Sequence, residues 1–230
     1  MGCLLKQGGG LHARLRVAAV LLAAGEGKRM GGVAKPLITL QGVPLIKRQL
    51  IALSGAGVDE VVVVTGHARE AIEAQVQSFP VTLAHNPDFG RGQQGSVRIG
   101  LQALSGAFDA VFVVLADQPL IAAADLTELM SAFKRRPAGH IVVPVVSRED
   151  SDLAGQRGNP ILLDDVALAK ILASDLQLAC RHLIERQPEM VHIHRTTNTR
   201  FTTDLDTPED MQQLAQRTGW QLALPSGFGA

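Results

Sequence analysis

The chain has 230 residues, 46% of them hydrophobic, which is enough for one large α/β domain with a full core. Its 22 Lys and Arg residues balance 22 Asp and Glu residues, so the overall charge argues against a nucleic-acid partner or an anionic membrane surface. Two cysteines, Cys3 and Cys180, are too few for a disulfide framework or a thiolate metal site.

The N-terminal segment lacks the long apolar stretch and the small-residue cleavage site of a secretory signal. No apolar run in the sequence reaches the roughly 20 residues that a membrane span requires. We therefore expect a cytoplasmic protein with no membrane partner. Residues 1–15 are predicted to form a disordered leader, residues 16–218 a single domain and residues 219–230 a C-terminal tail.

Apolar runs alternate with helical patterns along the chain, which predicts successive β–α units and a mostly parallel sheet. The first run is apolar almost without interruption, as is typical of a buried parallel strand. Strands are predicted at residues 16–24, 60–65, 81–85, 110–115, 140–146, 160–163 and 190–194. Helices are predicted at residues 44–54, 68–77, 95–104, 125–135, 166–172, 176–186 and 208–217, with Asp175 and Thr207 as N-caps of the last two. This order predicts a three-layer α/β/α fold with a Rossmann-like sheet.

A glycine-rich segment with three cations, here called the glycine-basic loop (residues 25–35), follows the first predicted strand. It contains Gly25, Gly27, Gly31 and Gly32 together with Lys28, Arg29 and Lys35. Glycines let a backbone turn sharply and present its N–H groups to an anion, and the cations add positive charge. The loop therefore predicts a polyphosphate site, although a tight connection with solvated basic side chains is the alternative.

Two well-known phosphate-binding motifs do not match this loop. A Walker-type P-loop requires Ser or Thr after Gly-Lys, and Arg29 stands there. A dinucleotide fingerprint requires a third glycine where Met30 stands, and an acid after the second strand, which instead ends in Thr65-Gly66-His67. The sequence thus disfavours both a P-loop and a dinucleotide site.

Three carboxylates stand where predicted strands or extended segments end. Asp117 follows the strand at 110–115, where it is well placed to hold Mg²⁺ against phosphate oxygens, or else to form a turn before Pro119. Asp204 and Asp206 precede the last predicted helix, and either could cap it. Asp206 is the preferred second metal ligand of the pair.

The loop after the third predicted strand is rich in glycine and amides. It reads FGRGQQGSVRIG from residue 89 and leads into a helix, which suits hydrogen bonds to a base or ribose. A flexible surface loop is the alternative. Covalent catalysis has no candidate, because the sequence lacks a G-x-S-x-G elbow and Cys180 has no local partner. His192 and His194 lie on a predicted strand without zinc-ligand spacing, so we expect them to be structural.

Five segments taken together resemble the molybdenum cofactor nucleotidyltransferases. They are LLAAGEGKRMGG…AKPL, Gly95-Ser96-Val97-Arg98, LADQPL, Arg157-Gly158-Asn159-Pro160 and DLDTPED. The resemblance runs from about residue 17 to 216. It implies a nucleotide-diphospho-sugar transferase-like fold and makes the single domain a nucleotidyltransferase domain.

The first and last of these segments resemble the cytidylyltransferase branch most closely. Leu22-Ala23-Ala24-Gly25 is similar to the LAAG of that branch. At the same place the guanylyl branch has a segment similar to LAGG. The methyl group of Ala24 would crowd a purine more than a pyrimidine. DLDTPED is similar to the DIDTPED of the cytidylyl branch. One departure is Asn159, which stands where relatives often have His.

The resemblance implies transfer of CMP from CTP, or GMP from GTP, to the phosphate of molybdopterin, with release of pyrophosphate, Mg²⁺ as cofactor and a molybdoenzyme client. The implied catalytic residues are Lys35, Arg29 and Asp117, and the implied metal ligands are Asp117 and Asp206. The implied nucleotide-binding residues are Leu22, Ala23, Ala24, Gly25, Gly27, Lys35, Asn86, Gly95 and Ser96. The implied acceptor-binding residues are Gln118, Arg157, Gly158 and Asn159.

Three other functions remain open on this fold. One is transfer to another phosphorylated acceptor, such as a sugar phosphate or methylerythritol phosphate. A second is an NAD(P)H oxidoreductase. A third is a non-catalytic partner that carries cofactor to a molybdoenzyme during its maturation.

Overall fold

The computed structural model describes residues 14–147, 155–173 and 180–225. The strands are β1 (Val17–Ala23), β2 (Thr39–Leu40), β3 (Val43–Pro44), β4 (Glu60–Thr65), β5 (Thr82–His85), β6 (Ala110–Leu115), β7 (Ile141–Val146), β8 (Gln156–Arg157), β9 (Ile161–Leu163), β10 (Val191–Thr196) and β11 (Leu222–Ala223). The α-helices are α1 (Leu45–Gly55), α2 (Arg69–Val76), α3 (Gln93–Gln102), α4 (Ala123–Arg135), α5 (Asp165–Ala173), α6 (Cys180–Arg186) and α7 (Pro208–Thr218).

Every predicted strand and helix corresponds to an observed one, and the ends agree within two residues apart from the start of α6. The first predicted residues of that helix, its predicted cap Asp175 and most of the predicted leader lie outside the described residues. The predictions missed β2, β3, β8 and β11, because each contains only two residues and shows no hydrophobic period.

The main sheet has the strand order β10-β7-β9-β6-β1-β4-β5, and β8 pairs with β7. Its long strands run parallel, which confirms the predicted mostly parallel sheet. Two described strands of the sheet are antiparallel to their neighbours: the two-residue β8 pairs with β7 in this way, and β9 pairs with both β6 and β7. Ile161 pairs with Val113, so the residues that precede β9 lie at the edge where β6 ends. The reversed direction of β9 brings residues 157–159 to the carboxyl edge of the parallel strands.

Helices cover both faces of the sheet, which confirms the three-layer architecture. Alternate residues of β1 point to opposite faces, as the pleat of a strand requires. Val17, Ala19 and Leu21 belong to an apolar cluster with residues of α1, α2 and α4. Ala18 and Val20 belong to a second cluster with residues of α3, α5 and α6. Because β1 is buried on both faces, it has to be continuously apolar, and its sequence is.

A small satellite core holds the glycine-basic loop against the rest of the domain. Three short strands form an antiparallel sheet in the order β11-β2-β3. Its apolar cluster includes Met30 of the loop, Leu205 from the segment before α7, and Leu214 of α7 itself. Leu222, within the segment predicted as a tail, pairs with Leu40 of β2. This cluster connects the loop directly to the segment that carries Asp204 and Asp206.

Among the described residues, none of the helices combines the length and the apolar character needed to cross a membrane.

Candidate active site

A cleft of about 390 Å³ opens at the carboxyl ends of β1 and β6. Its walls include the glycine-basic loop, Lys35, the start of α3 and the turn after β6. The predicted site residues that line it are Leu22, Ala23, Ala24, Gly25, Gly27, Arg29, Lys35, Ser96 and Asp117. Ligands bind at this edge in open parallel sheets, so the topology and the predicted residues agree on the place.

The glycine-basic loop has the backbone of an anion site. Gly27 adopts the left-handed conformation with φ 61°, and a Cβ there would lie 2.0 Å from the carbonyl oxygen of Val33. Its carbonyl accepts a hydrogen bond from the Met30 N–H at 2.8 Å, which closes the turn. Within the described part of the chain, the N–H groups of Gly25, Glu26 and Gly27 donate no hydrogen bond. These donors are available to phosphate oxygens.

The Lys35 ammonium lies between two carboxylates at the cleft. Its Nζ atom is 2.8 Å from Oδ2 of Asp117 and 2.6 Å from Oδ1 of Asp206. Arg29 joins the same cluster, because its Nη2 atom lies 2.9 Å from Oδ2 of Asp206. The structure therefore brings together the four predicted charged residues of the catalytic and metal sets, which are up to 177 positions apart (206 − 29).

These ion pairs shift the pKa values of the cluster. Burial lowers the pKa of Lys35, but the charges of Asp117 and Asp206 and the hydrogen bonds to them raise it more, and the net direction is upward. Burial raises the pKa of Asp206, but Lys35 and Arg29 lower it more, and the net direction is downward. Lys35 and Asp206 are therefore both charged at neutral pH.

Asp206 is free for this pairing because its neighbour caps α7. The hydroxyl of Thr207 accepts from the N–H of Asp210 at 3.2 Å, and Oδ2 of Asp210 accepts from the N–H of Thr207 at 2.7 Å. Pro208 occupies the first helical position, as the sequence predicts. The carboxylate of Asp210 also accepts from the Asp206 N–H at 2.9 Å, which fixes the backbone of the metal-ligand candidate.

Asp204 lies beside this cluster but takes no part in its ion pairs. Its Oδ1 atom is buried and has no hydrogen-bond partner among the described residues. Burial, and then the charge of Asp117, raise the pKa of Asp204 to about 6, although Gln118 and Lys35 act in the opposite direction. A carboxyl group in this position is costly when ionised.

The donor set fits a hard divalent cation that also takes ligands from a substrate. The carboxylates of Asp117 and Asp206 both approach one ammonium nitrogen, so they converge on a single cationic point. Among the described residues there is no group of three or more His, Cys, Asp or Glu side chains that could hold a metal ion. Two protein carboxylates suit Mg²⁺, which is usually held by one or two of them together with water and substrate phosphates.

The predicted ribose or base contacts fall into two layers. Ser96 lines the cleft, whereas Asn86 is buried behind it and donates through Nδ2 to the Ser96 hydroxyl at 2.9 Å. The Asn86 Oδ1 atom accepts from the Asp88 N–H at 3.0 Å. A Cβ on Gly95 would lie 3.4 Å from Asn86, so this glycine faces Asn86. All of this places Asn86 and Gly95 behind the cleft, and Ser96, although only 3% exposed, is the member of the set that lines it.

One aromatic side chain of the cleft was not predicted from the sequence. Phe89 lines the cleft, and its ring centroid is 6.2 Å from that of His67. A Cβ on Gly66 would lie within 3 Å of both Phe89 and Ala24. The contact between Ala24 and Gly66 places the Ala24 methyl beside Phe89. Phe89 opens the FGRGQQG segment, so its position next to the glycines was the available signal.

A second cavity of about 380 Å³ lies beside the first. The predicted acceptor residues Arg157, Gly158 and Asn159 line it, over a floor that includes Val113 and Val143. Gln93 at the start of α3 lines both cavities, so they are neighbours.

The fourth predicted acceptor residue is elsewhere. Gln118 has no exposed surface, and its Nε2 atom donates to the carbonyl oxygen of Phe201 at 3.1 Å. In this structure Gln118 lines neither cavity.

Comparison with known proteins agrees with this geometry. A family model described as the MobA-like NTP transferase domain matches residues 19–191. The nicotine blue oxidoreductase of Paenarthrobacter nicotinovorans is 29% identical over 201 residues, which are 86% of this chain and 96% of that protein. Several other curated relatives are longer proteins, and the chain spans only 23 to 32% of their length.

Two solved structures share the fold at low sequence identity. Rv0371c from Mycobacterium tuberculosis, in complex with manganese, superposes with a TM-score of 0.68 at 18% identity over 87% of this chain and 98% of that one. CMP:2-keto-3-deoxy-manno-octonic acid synthetase complexed with CTP gives a TM-score of 0.67 at 17% identity over 89% of this chain and 98% of that one. The family model covers three quarters of the chain, and the chain therefore belongs to the MobA-like NTP transferase domain family and is a nucleotidyltransferase.

Proposed function

We propose that this nucleotidyltransferase moves CMP from CTP to the phosphate of molybdopterin, releases pyrophosphate and thereby supports the maturation of molybdoenzymes. The observation that carries the proposal is the Lys35 ammonium, held between Asp117 and Asp206 in the cleft that the glycine-basic loop lines. Cations and free N–H groups around one cleft match the charge of a nucleoside triphosphate.

Each charged group has a distinct task in this proposal. The N–H groups of Gly25 and Gly27, with Arg29, bind the β- and γ-phosphates. Lys35 binds the α-phosphate, where charge redistributes in the transition state. Asp117 and Asp206 would hold Mg²⁺, which would supply further neutralisation of phosphate oxygens when bound. The manganese in a protein of the same fold supports a divalent cation here.

The second cavity is the proposed acceptor site. Its volume of about 380 Å³ lies in the usual range for small-molecule pockets. The apolar floor suits a flat heterocycle, and the Arg157 guanidinium on its wall suits a phosphate. Because Gln93 borders both cavities, an acceptor phosphate can approach the α-phosphorus of a nucleotide in the first.

The reaction requires no nucleophilic side chain. An oxygen of the acceptor phosphate attacks the α-phosphorus, a new P–O bond forms, and the bond to the pyrophosphate leaving group breaks. The protein holds the two phosphates together and neutralises their charge. Cys180, which lines the second cavity, is unsuited to attack because burial raises the pKa of its thiol to about 12.

The base preference rests on Ala24. The Ala24 methyl lies near Gly66 and Phe89. Because Ala24 lines the cleft, this methyl makes the cleft narrower there. A smaller space favours a pyrimidine, and a protein of the same fold has been solved with CTP.

The direct test is incubation of the protein with CTP or GTP, Mg²⁺ and purified molybdenum cofactor. We expect CTP-dependent release of pyrophosphate only when the cofactor is present. Preferential use of GTP would overturn the base assignment. Turnover of CTP with a sugar phosphate or methylerythritol phosphate, and not with the cofactor, would overturn the acceptor.

An NAD(P)H-dependent reduction is a second candidate. A protein named as an oxidoreductase matches 86% of this chain, and the match spans 96% of that protein. The site favours it less, since Met30 stands where a dinucleotide fingerprint has glycine. Oxidation of NAD(P)H by the wild-type protein and by Lys35→Met in the presence of a heteroaromatic dye separates the candidates. A reductase keeps its rate in Lys35→Met, and a nucleotidyltransferase consumes no NAD(P)H.

A further inference from the structure

Buried glutamine side chains hold the turn that carries Asp117. Gln49 on α1 donates through Nε2 to the backbone oxygen of Gln118. Gln118 in turn donates through Nε2 to the backbone oxygen of Phe201 at 3.1 Å. Gln49 is 1% exposed, and Gln118 and Phe201 have no exposed surface. Gln118 therefore reaches the site through the Phe201 backbone and through its hydrogen bond to Asp204, and it lines neither cavity.

The Phe201 carbonyl connects this turn to the other parts of the site. It accepts hydrogen bonds from the side chain of Gln118 and, at 2.9 Å, from the backbone N–H of Asn159 on the wall of the second cavity. The segment that follows Phe201 leads to Asp206, and its Leu205 N–H donates to the Asp117 carbonyl at 3.0 Å. One buried amide thus ties together the Asp117 turn, the Asp206 segment and the acceptor wall.

These two amides are a poor choice for packing alone. The Oε1 atoms of Gln49 and Gln118 are both buried without a hydrogen-bond partner in the described part of the chain. An unsatisfied buried acceptor destabilises a fold, and an apolar side chain of similar size, such as Met, avoids that cost. What the amides provide, and Met would not, is a hydrogen bond to the backbone carbonyls of Gln118 and Phe201.

We propose that Gln118, supported by Gln49, is a positioning residue that sets the separation of Asp117 and Asp206 and aims both at a bound divalent cation. This inference deepens the proposed nucleotidyl transfer and rests on it. Groups that orient metal ligands through hydrogen bonds typically change metal affinity or activity by about 10- to 100-fold when they are removed.

The test compares Gln118→Met and Gln49→Met with the wild-type protein in the presence of Mn²⁺ and CTP. Mn²⁺ binding is followed by its paramagnetic resonance signal, and turnover is followed by pyrophosphate release. We expect each variant to raise the half-saturating Mn²⁺ concentration by about tenfold and to lower kcat, with KM for CTP within about twofold of wild type. The melting temperature should stay close to that of the wild type, because Phe201 keeps its hydrogen bond from Asn159 when Gln118 is changed.

Asp164→Asn is the matched control for a buried polar change. Asp164 follows β9 at the opposite edge of the sheet and accepts hydrogen bonds from Arg136 and His140. This control should lower the melting temperature and leave the Mn²⁺ half-saturation unchanged. If Gln118→Met lowers the melting temperature strongly, Gln49→Met decides the question.

The outcomes separate this inference from the function on which it rests. Wild-type Mn²⁺ binding and turnover in both glutamine variants would overturn the positioning role and leave the proposed function standing. An equal rise in the Mn²⁺ constant for Asp164→Asn would also overturn the role, because lost stability would then explain the effect. Unchanged Mn²⁺ binding in Asp117→Asn would overturn the metal site, and the proposed function and this inference would fail together.

Discussion

The ammonium of Lys35 and the carboxylate of Asp117 lie 2.8 Å apart, although 82 positions separate them in the sequence. The partners come from the loop after β1 and the turn after β6, and these strands are neighbours in the sheet. Lys35 is only 15% exposed, so the pair is screened less by water than a surface ion pair. In the proposed reaction this ammonium binds the α-phosphate of the nucleotide.

Loss of the Lys35 charge should abolish most of the transfer reaction. We expect Lys35→Met to lower the rate of pyrophosphate release by about 10²- to 10³-fold, the usual effect of removing one preorganised charge contact. Single-turnover kinetics with saturating CTP measures the change. The control is Lys170→Met, whose ammonium contacts Gln187 and Met190 away from the cleft. A rate within about threefold of wild type in Lys35→Met would remove Lys35 from the reaction.

Asp117 should be needed for turnover more than for nucleotide binding. In Asp117→Asn we expect CTP to raise the melting temperature still, because the glycine-basic loop is intact, while pyrophosphate release falls below detection. A ligand at 100 times its dissociation constant adds about 2.7 kcal/mol of stability, which a thermal shift resolves. Excess EDTA should have the same effect on the wild-type protein. Full activity in either case would contradict a metal-assisted reaction at this residue.

Two glycines of the loop should respond differently to an added methyl group. A Cβ on Gly25 meets nothing within 4 Å, so Gly25→Ala should keep the wild-type melting temperature and weaken CTP binding by filling the space of a phosphate. A Cβ on Gly27 would lie 2.0 Å from the Val33 carbonyl, so Gly27→Ala should lower both stability and binding. Thermal melts and CTP titrations of the two variants distinguish the effects. Wild-type CTP affinity in Gly25→Ala would argue against phosphate contact at that position.

Ala24 should set the preference for the base. We expect Ala24→Gly to raise kcat/KM for GTP relative to CTP by about 10-fold or more, since a methyl group in a pocket is commonly worth 1–3 kcal/mol of discrimination. The change removes the Ala24 methyl, which a Cβ on Gly66 would meet at 2.8 Å, so Gly66 does not have to move. Competition between the two nucleotides in one reaction gives the ratio directly. An unchanged ratio would place the determinant elsewhere in the cleft.

Asp204 should make the metal-free protein less stable as the pH rises. Its pKa is raised to about 6 in the folded protein, chiefly by burial, so the folded state binds a proton more tightly than the unfolded state does. The cost of ionisation is absent below pH 4, develops between pH 4 and 6 and is complete above 6. We measure the melting temperature of Asp204→Asn minus that of the wild type, in EDTA. This difference should be larger at pH 7.5 than at pH 4.5. An equal difference at both pH values would contradict a raised pKa.

The repeating β–α pattern and the chemistry of the turns were predictable from the sequence. A strand buried on both faces has to be continuously apolar, and residues 17–23 within the predicted segment 16–24 form such a run. Glycines and cations after it, and Asp117 after the strand at 110–115, indicate a phosphate site because the carboxyl ends of parallel strands meet at one edge. Thr207 was identifiable as a cap because its partner Asp210 is local.

Long-range pairing explains what the sequence could not show. The strand β11 exists because it pairs with β2, about 180 residues earlier. The strands β2 and β3 pair with each other locally, and their two residues each are too few to show a hydrophobic period. The reversed direction of β9, which carries residues 157–159 to the site, leaves no trace in its apolar pattern. Gln118 was expected at the acceptor site. The sequence next to Asp117 does not show whether this amide faces a cavity or the protein interior.

The sequence by itself determined where the main strands, turns and helix caps lie, because these features depend on near neighbours in the chain. It therefore also showed which polar residues follow each strand. Only the tertiary structure decided that Lys35 meets both Asp117 and Asp206, that Ser96 and not Asn86 lines the cleft, and that Gln118 is buried with its amide on the Phe201 carbonyl. Those relationships depend on strand order and burial, which arise from contacts between distant parts of the chain.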